Sequence, residues 1–100
     1  MGARQFCEFS HGKSAEEAFA RAKSNAFDDS GHGGYSGTIA EKSCFEMATT
    51  EVLMDTLATQ LADELIDTRF SDKWGPVGCI EVTVKANQVR CFLFFGWASS

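Results

Sequence analysis

The sequence predicts an α+β domain in which two helices pack on one face of a small, mainly antiparallel sheet, in the order β-α-(β)-α-β-β. Three observations support this prediction. Two segments repeat apolar residues at helical spacing, a short alternating segment precedes the first of them, and two extended apolar runs joined by a turn follow the second. One hundred residues fit a single domain spanning 1–100.

The chain opens with a predicted strand and a predicted helix. Residues 4–10 alternate loosely between apolar and polar side chains, as a strand does. Ser14 is followed three residues later by Glu17, and this capping box indicates the start of a helix. The apolar stripe that follows is mostly alanine, so the helix should lie close to its neighbour. It should end near Phe27, where weak helix formers and a glycine follow.

The strongest helical pattern follows Thr49 or Thr50, either of which could cap the helix. Leucines recur every four residues, a second apolar row lies beside them, and the opposite face is polar. The three rows are Leu53, Leu57, Leu61 and Leu65; Met54, Ala58, Ala62 and Ile66; and Glu51, Asp55, Thr59, Asp63 and Asp67. This pattern favours a helix facing the core, with a partner-binding helix as the alternative. A short strand is expected before it, within residues 38–47.

The last third of the chain predicts a hairpin. Residues 70–76 form a loop, and residues 77–85 alternate as a strand. Ala86 and Asn87 make the turn, because asparagine tolerates a positive φ. Residues 89–97 are apolar on both faces, which predicts either a central strand covered on both sides or an interface strand.

Composition narrows the function classes. The net charge is −5 and no basic cluster is present, which disfavours direct nucleic-acid binding and leaves nucleic-acid mimicry as an alternative. No apolar run is long enough to span a bilayer and no signal peptide is evident, so we expect a cytoplasmic protein that does not enter the membrane. No cofactor is predicted.

The four cysteines are scattered without a C-x-x-C pair, so they should be reduced and buried. They are Cys7, Cys44, Cys79 and Cys91. A zinc site built from them with His11 or His32 is the alternative, although the usual ligand spacing is absent.

The stretch from Gly31 to Lys42, G-H-G-G-Y-S-G-T-I-A-E-K, is the best candidate for a ligand site. Its backbone amides and hydroxyls could hold a phosphate, so the predicted ligand is a nucleotide. The candidate ligand-binding residues are His32, Gly33, Gly34, Tyr35, Ser36, Thr38 and Lys42. The spacing matches neither a P-loop nor a dinucleotide fingerprint. The structural alternative is a glycine-rich crossover that returns the first helix to the sheet.

Enzymatic activity is the weakest hypothesis for this chain. His32 could act as an acid or base near neutral pH. No nucleophile or carboxylate stands at a recognisable partner spacing, so no catalytic residue is assigned. The sequence favours a non-enzymatic protein.

Three aromatic residues form the predicted interaction surface. Trp74, in the loop before the hairpin, could be a hot spot or a stacking platform, or else a lid over the core. Phe95 and Trp97 lie near the C-terminus, where they could contact a partner or a second copy, or else be buried in the monomer. A homo-oligomer formed through this aromatic strand is therefore expected.

Three motifs together resemble small proteins of unassigned function encoded by tailed bacteriophages and prophages. They are G-H-G-G-Y-S-G-T-I-A-E-K, D-K-W-G-P-V-G-C-I and F-L-F-F-G-W-A-S-S. The resemblance implies an accessory protein of an infected bacterium that binds a host protein or complex without catalysis, for example against a host defence system. The alternative is a sponge for a nucleotide or cyclic-nucleotide signal.

Overall fold

The computed structural model describes residues 3–30, 39 and 42–99. The described elements are β1 (Ala3–His11), α1 (Ala15–Ser30), β2 (Phe45–Met47), α2 (Asp55–Ile66), β3 (Val77–Val82) and β4 (Cys91–Ser99). The strand order in the sheet is β1-β4-β3-β2. β4 pairs antiparallel with β1 and with β3, and β2 pairs parallel with β3. The α+β class, the element order and the mainly antiparallel sheet are therefore confirmed.

β4 is the central apolar strand of the sheet. Phe92, Leu93, Phe94 and Phe95 are all fully buried. Phe92 and Phe94 belong to one core cluster, and Leu93 and Phe95 belong to the other. Because successive side chains of a strand point to opposite faces, β4 contributes to a core on each side of the sheet. The prediction of a central strand covered on both sides is confirmed.

The two helices lie on opposite faces of the sheet, so their predicted placement on one face is wrong. Ala18 and Ala22 of α1 pack in the cluster that contains Phe92 and Phe94. Ala58 of α2 packs in the cluster that contains Leu93 and Phe95. An apolar stripe shows that a helix packs against something, but it does not say which face. A strand that is apolar on both faces needs cover on both.

Alanine, rather than leucine, forms the row of α2 that meets the sheet. Ala58 and Ala62 are buried, whereas Leu57 is 47% exposed and Leu61 is half-buried. Small side chains let the helix approach strands that carry large aromatic residues, so the leucines flank the contact. The prediction that α2 faces the core is confirmed for Ala58, Ala62 and Ile66, which lie beside the leucines.

α2 begins later than the predicted cap. Its first residue is Asp55, and its N-cap is Met54, which makes no side-chain capping bond. The preceding Leu53 forms an isolated parallel bridge with Val82 of β3, and this bridge holds the chain extended up to the helix. The predicted cap at Thr49 or Thr50 is wrong because tertiary pairing keeps residue 53 out of the helix.

The helix start at Ser14 and the turn at Asn87 are confirmed. The Glu17 backbone N–H donates to Ser14 Oγ at 3.2 Å, as in a capping box, and the Glu17 carboxylate accepts at 2.9 Å from the N–H of Lys13, one residue before the cap. Asn87 has a φ of 67° in the turn after β3. α1 continues to Ser30 rather than ending near Phe27.

The cysteines divide into two classes. Cys79 and Cys91 are buried, as predicted, but Cys7 and Cys44 are exposed. Burial raises the pKa of Cys79 to about 12, so its thiol stays protonated and unreactive at neutral pH. All four are free thiols in this structure.

An ion pair joins the β3–β4 hairpin to the turn before α1. The Arg90 guanidinium donates to both carboxylate oxygens of Glu81 at 2.8 Å and to the Lys13 carbonyl at 3.1 Å. The hydrogen bond from Arg90 lowers the pKa of Glu81 below its ordinary value of 4.5. The folded state therefore binds this proton more weakly than the unfolded chain does.

We expect this pair to contribute stability at neutral pH that is lost in acid. The contribution is fully present above pH 4.5 and disappears as the pH falls through the lowered pKa of folded Glu81. Glu81→Gln should lower the Tm at pH 7, and the difference from wild type should shrink towards pH 3. Thermal unfolding followed by circular dichroism checks this, with the exposed Glu51→Gln as control. An equal Tm difference at both pH values would contradict it.

Candidate functional site

Most of the predicted ligand-binding residues lie outside the described residues. These are His32, Gly33, Gly34, Tyr35, Ser36 and Thr38. Their role as a ligand site stays a prediction. Within the same stretch the structure describes Ile39, which is fully buried in the core of the α1 face, and Lys42.

Lys42 is a buried lysine that holds a loop. Its side chain is 4% exposed. Its Nζ donates to the carbonyl oxygens of Gly75 at 2.8 Å, Lys73 at 2.9 Å and Asp72 at 3.4 Å. An ammonium has three N–H donors, and three carbonyls accept them here. This geometry favours a structural role for Lys42 over the predicted contact with a ligand.

The electrostatics of Lys42 combine two opposing effects. Burial lowers the pKa of the ammonium, and the neighbouring Asp72 carboxylate acts in the opposite direction. The three carbonyls match the charged form, because only the ammonium has a third donor. Lys42 therefore supplies a charged anchor under the loop.

The segment Asp72–Pro76, called the Trp74 loop from here on, presents an indole to solvent. The Trp74 backbone N–H donates to Asp72 Oδ1 at 2.9 Å, and the Gly75 N–H donates to the Asp72 carbonyl at 3.0 Å. The Trp74 side chain is 67% exposed. The Lys73 ammonium lies 5.3 Å from the centre of the indole ring. Trp74 is therefore an exposed side chain on a fixed backbone, and the alternative of a lid over the core is wrong.

The other two predicted surface aromatics belong to the core. Phe95 is fully buried and its ring contacts the Phe70 ring edge-on, with the centroids 5.2 Å apart. Trp97 is half-buried, and its Nε1 donates to the Ile66 carbonyl at 2.9 Å, where it holds the end of α2. The prediction that Phe95 forms an interaction surface is wrong, and Trp97 serves mainly to dock the helix.

Pairing within the monomer occupies most of β4. β1 covers one edge from Cys91 to Ser99, and β3 covers the other edge from Cys91 to Phe95. Association of two copies through this strand stays a prediction.

A groove between β1 and the start of α2 was not predicted from the sequence. It has a volume of about 480 Å³, and Phe9, His11, Met54 and Asp55 are among its lining residues. Phe9 is 49% exposed and Met54 is 58% exposed. The alternation of β1 showed that Phe9 shares a face with other apolar residues. Only the position of α2, over β3 and β4, shows that this face is left partly uncovered.

Comparisons with known proteins identify no relative of this chain. No family model matches the chain, and no curated protein or solved structure is significantly similar to it. No helix in the described part of the chain is both long and apolar enough to cross a membrane. Across residues 3–30, 39 and 42–99, no three side chains of His, Cys, Asp or Glu converge as ligands for a metal ion.

Proposed function

We propose that this chain is a non-enzymatic binding protein that recognises another protein through the Trp74 loop. One observation carries the proposal: an indole that is 67% exposed stands on a loop whose carbonyls are held by a buried ammonium. Tryptophan is enriched among the residues that dominate binding energy at protein interfaces. A loop that is already ordered loses little conformational entropy when it binds.

The shape of the site favours a protein partner over a small molecule. Small-molecule sites are concave and enclose most of their ligand. Trp74 projects from a turn, so it fits a pocket that a partner supplies. The Lys73 ammonium beside the ring adds a positive charge, which an acidic or carbonyl-rich rim on the partner would complement.

The resemblance of the three motifs to phage-encoded proteins supports a biological context for the proposal. In that context the partner is a host bacterial protein or complex, and the chain is an accessory protein that acts against host machinery such as a defence system. Binding alone suffices for such a role, since occupation of a surface can block a host complex.

The test begins with immobilised wild-type chain and a bacterial lysate, followed by measurement of Kd with the purified target. Trp74→Ala should weaken binding about 30-fold or more, because loss of a hot-spot side chain costs about 2 kcal/mol or more. Val89→Ala is the matched control, since Val89 is 52% exposed but lies in the β3–β4 connection. It should leave Kd unchanged.

Two outcomes would contradict the proposal. An unchanged Kd for Trp74→Ala would remove the Trp74 loop from the interface. A nucleotide that raises the Tm would move the function to the glycine-rich stretch, because a ligand of the native state alone adds about 2.7 kcal/mol at a hundredfold excess over Kd. A panel of nucleotides and cyclic nucleotides in a thermal-shift assay provides this second measurement.

A further inference from the structure

β1 is a long edge strand with a regular register. It pairs with β4 without interruption from Ala3, opposite Ser99, to His11, opposite Cys91. No other described strand pairs with it, since β1 ends the strand order of the sheet. Natural sheets usually protect their edges with short strands, proline, bulges or charged side chains. β1 is nine residues long and has no proline or bulge, and its two charged side chains, Arg4 and Glu8, have opposite signs.

The register shows which backbone groups face outward. Gly12 and Arg90 continue the pairing of β1 with β4, and the Gly12 N–H donates to the Arg90 carbonyl at 3.0 Å. In an antiparallel pair, hydrogen-bonded and non-hydrogen-bonded positions alternate. The even-numbered residues of β1 therefore bond to β4, and Gln5, Cys7 and Phe9 turn their N–H and C=O groups towards the outer edge.

We propose that two copies of this chain pair through the outer edges of β1, antiparallel and about a two-fold axis, to form one continuous sheet. Outward-facing residues must then lie opposite outward-facing residues, so the axis passes through a residue of β1. The residue that lies on the axis therefore sets the register between the two copies of β1.

Pairing of opposite charges across the two strands favours a two-fold axis at Phe6. With that axis, Arg4 lies opposite Glu8 of the second copy, and the two-fold symmetry repeats this pair of opposite charges. An axis at Glu8 would place two carboxylates directly opposite each other, which is unfavourable. An axis at Cys7 would place Glu8 opposite Phe6 and would pair no opposite charges. An axis at Gln5 would leave Arg4 opposite Phe6.

The axis at Phe6 also covers exposed apolar surface. Phe9, 49% exposed in the monomer, then lies opposite Ala3 of the second copy. The Trp74 loop precedes β3, which is separated from β1 by β4, so it stays clear of this contact. A dimer would carry two Trp74 loops and could bind a repeated or symmetric target with increased avidity. The association does not depend on the proposed role of Trp74.

The register can be tested by disulfide crosslinking, with the exposed Cys44 replaced by serine in every variant. With the axis at Phe6, residue 5 lies opposite Cys7 of the second copy, at about 5.5 Å between Cα atoms. That separation allows a disulfide. Gln5→Cys should therefore give a covalent dimer on a non-reducing gel. The matched control, Gln5→Cys with Cys7→Ser, should stay uncrosslinked, because its cysteines are two positions out of register.

Mass in solution tests the association itself. Light scattering after size exclusion should give twice the chain mass of 10.9 kDa. Cys7→Pro should return the monomer mass with the circular dichroism spectrum retained, since the lost N–H faces the outer edge. Glu8→Pro removes an N–H that bonds to β4 and should unfold the domain instead.

Three outcomes would overturn the proposal or its register. A monomer mass for wild type at every concentration would exclude the dimer, whatever binds Trp74. Crosslinking through Cys7 alone would move the axis to Cys7. A Cys7→Pro variant that is folded and still dimeric would place the contact elsewhere on the chain.

Discussion

Replacing Gly78 with alanine should destabilise the domain by about 3 kcal/mol, the upper end of the usual cost of overpacking a core. A Cβ at this position would lie 2.3 Å from Cζ of Phe95 and 2.6 Å from its Cε2. The ring has little room to move, because Phe95 is fully buried and the Phe70 ring lies against it. Urea denaturation followed by circular dichroism measures the effect.

Gly96→Ala is the matched control for this prediction. Its added Cβ would meet the Phe6 ring at 3.4 Å, which is close to ordinary contact, so the cost should be clearly smaller. The mechanism predicts coupling as well: Gly78→Ala should cost less in a Phe95→Leu background, where the side chain is smaller. If the two glycine variants were equally stable, the close approach at Gly78 would not be what requires glycine there.

Lys42→Met should have the second large effect, a loss of about 2–4 kcal/mol of stability together with a loosened Trp74 loop. The substitution removes a buried charged group that three carbonyls share. A hydrogen bond to a charged group contributes about 1.5–3 kcal/mol, and a carbonyl left buried without a donor adds to the loss. Urea unfolding measures the first effect.

Loosening of the Trp74 loop can be measured separately from the loss of stability. In a Trp97→Phe background Trp74 is the remaining tryptophan, so its fluorescence anisotropy reports on the loop. Lys42→Met should lower the anisotropy and weaken target binding. Lys85→Met is the matched control, because Lys85 is an exposed lysine in the β3–β4 connection, away from the Trp74 loop. Equal behaviour of the two variants would mean that Lys42 does not order the Trp74 loop.

Short-range sequence patterns predicted the local backbone structure correctly. Ser14 with Glu17 and the left-handed Asn87 were predicted correctly because each depends on a few neighbouring residues. The cap at Thr49 or Thr50 failed for the complementary reason, since the bridge from Leu53 to Val82 competes with the helix. Local preference decides an element boundary only where no distant strand pairs with the residues concerned.

The candidate site was predicted in part. The sequence allows two interpretations of Trp74, an exposed side chain or a lid over the core, and the structure shows that it is exposed. The anchor beneath it was not predicted, because Lys42 and Gly75 are 33 positions apart and no local pattern links them. The sequence predicts a surface position for Phe95 and Trp97 because no later segment is available to cover this aromatic run. α2 and Phe70 supply that cover.

The amino-acid sequence by itself determined the element types, their order, and the presence of one strand apolar on both faces, since these follow from periodicity and short-range bonding. Tertiary structure decided which face each helix covers and that alanine rather than leucine meets the sheet. It also decided that Lys42 serves as an anchor and that the outer edge of β1 has no described partner. Those features depend on distances between residues far apart in the chain, and a hydrophobic pattern records that a side chain is buried without recording against what.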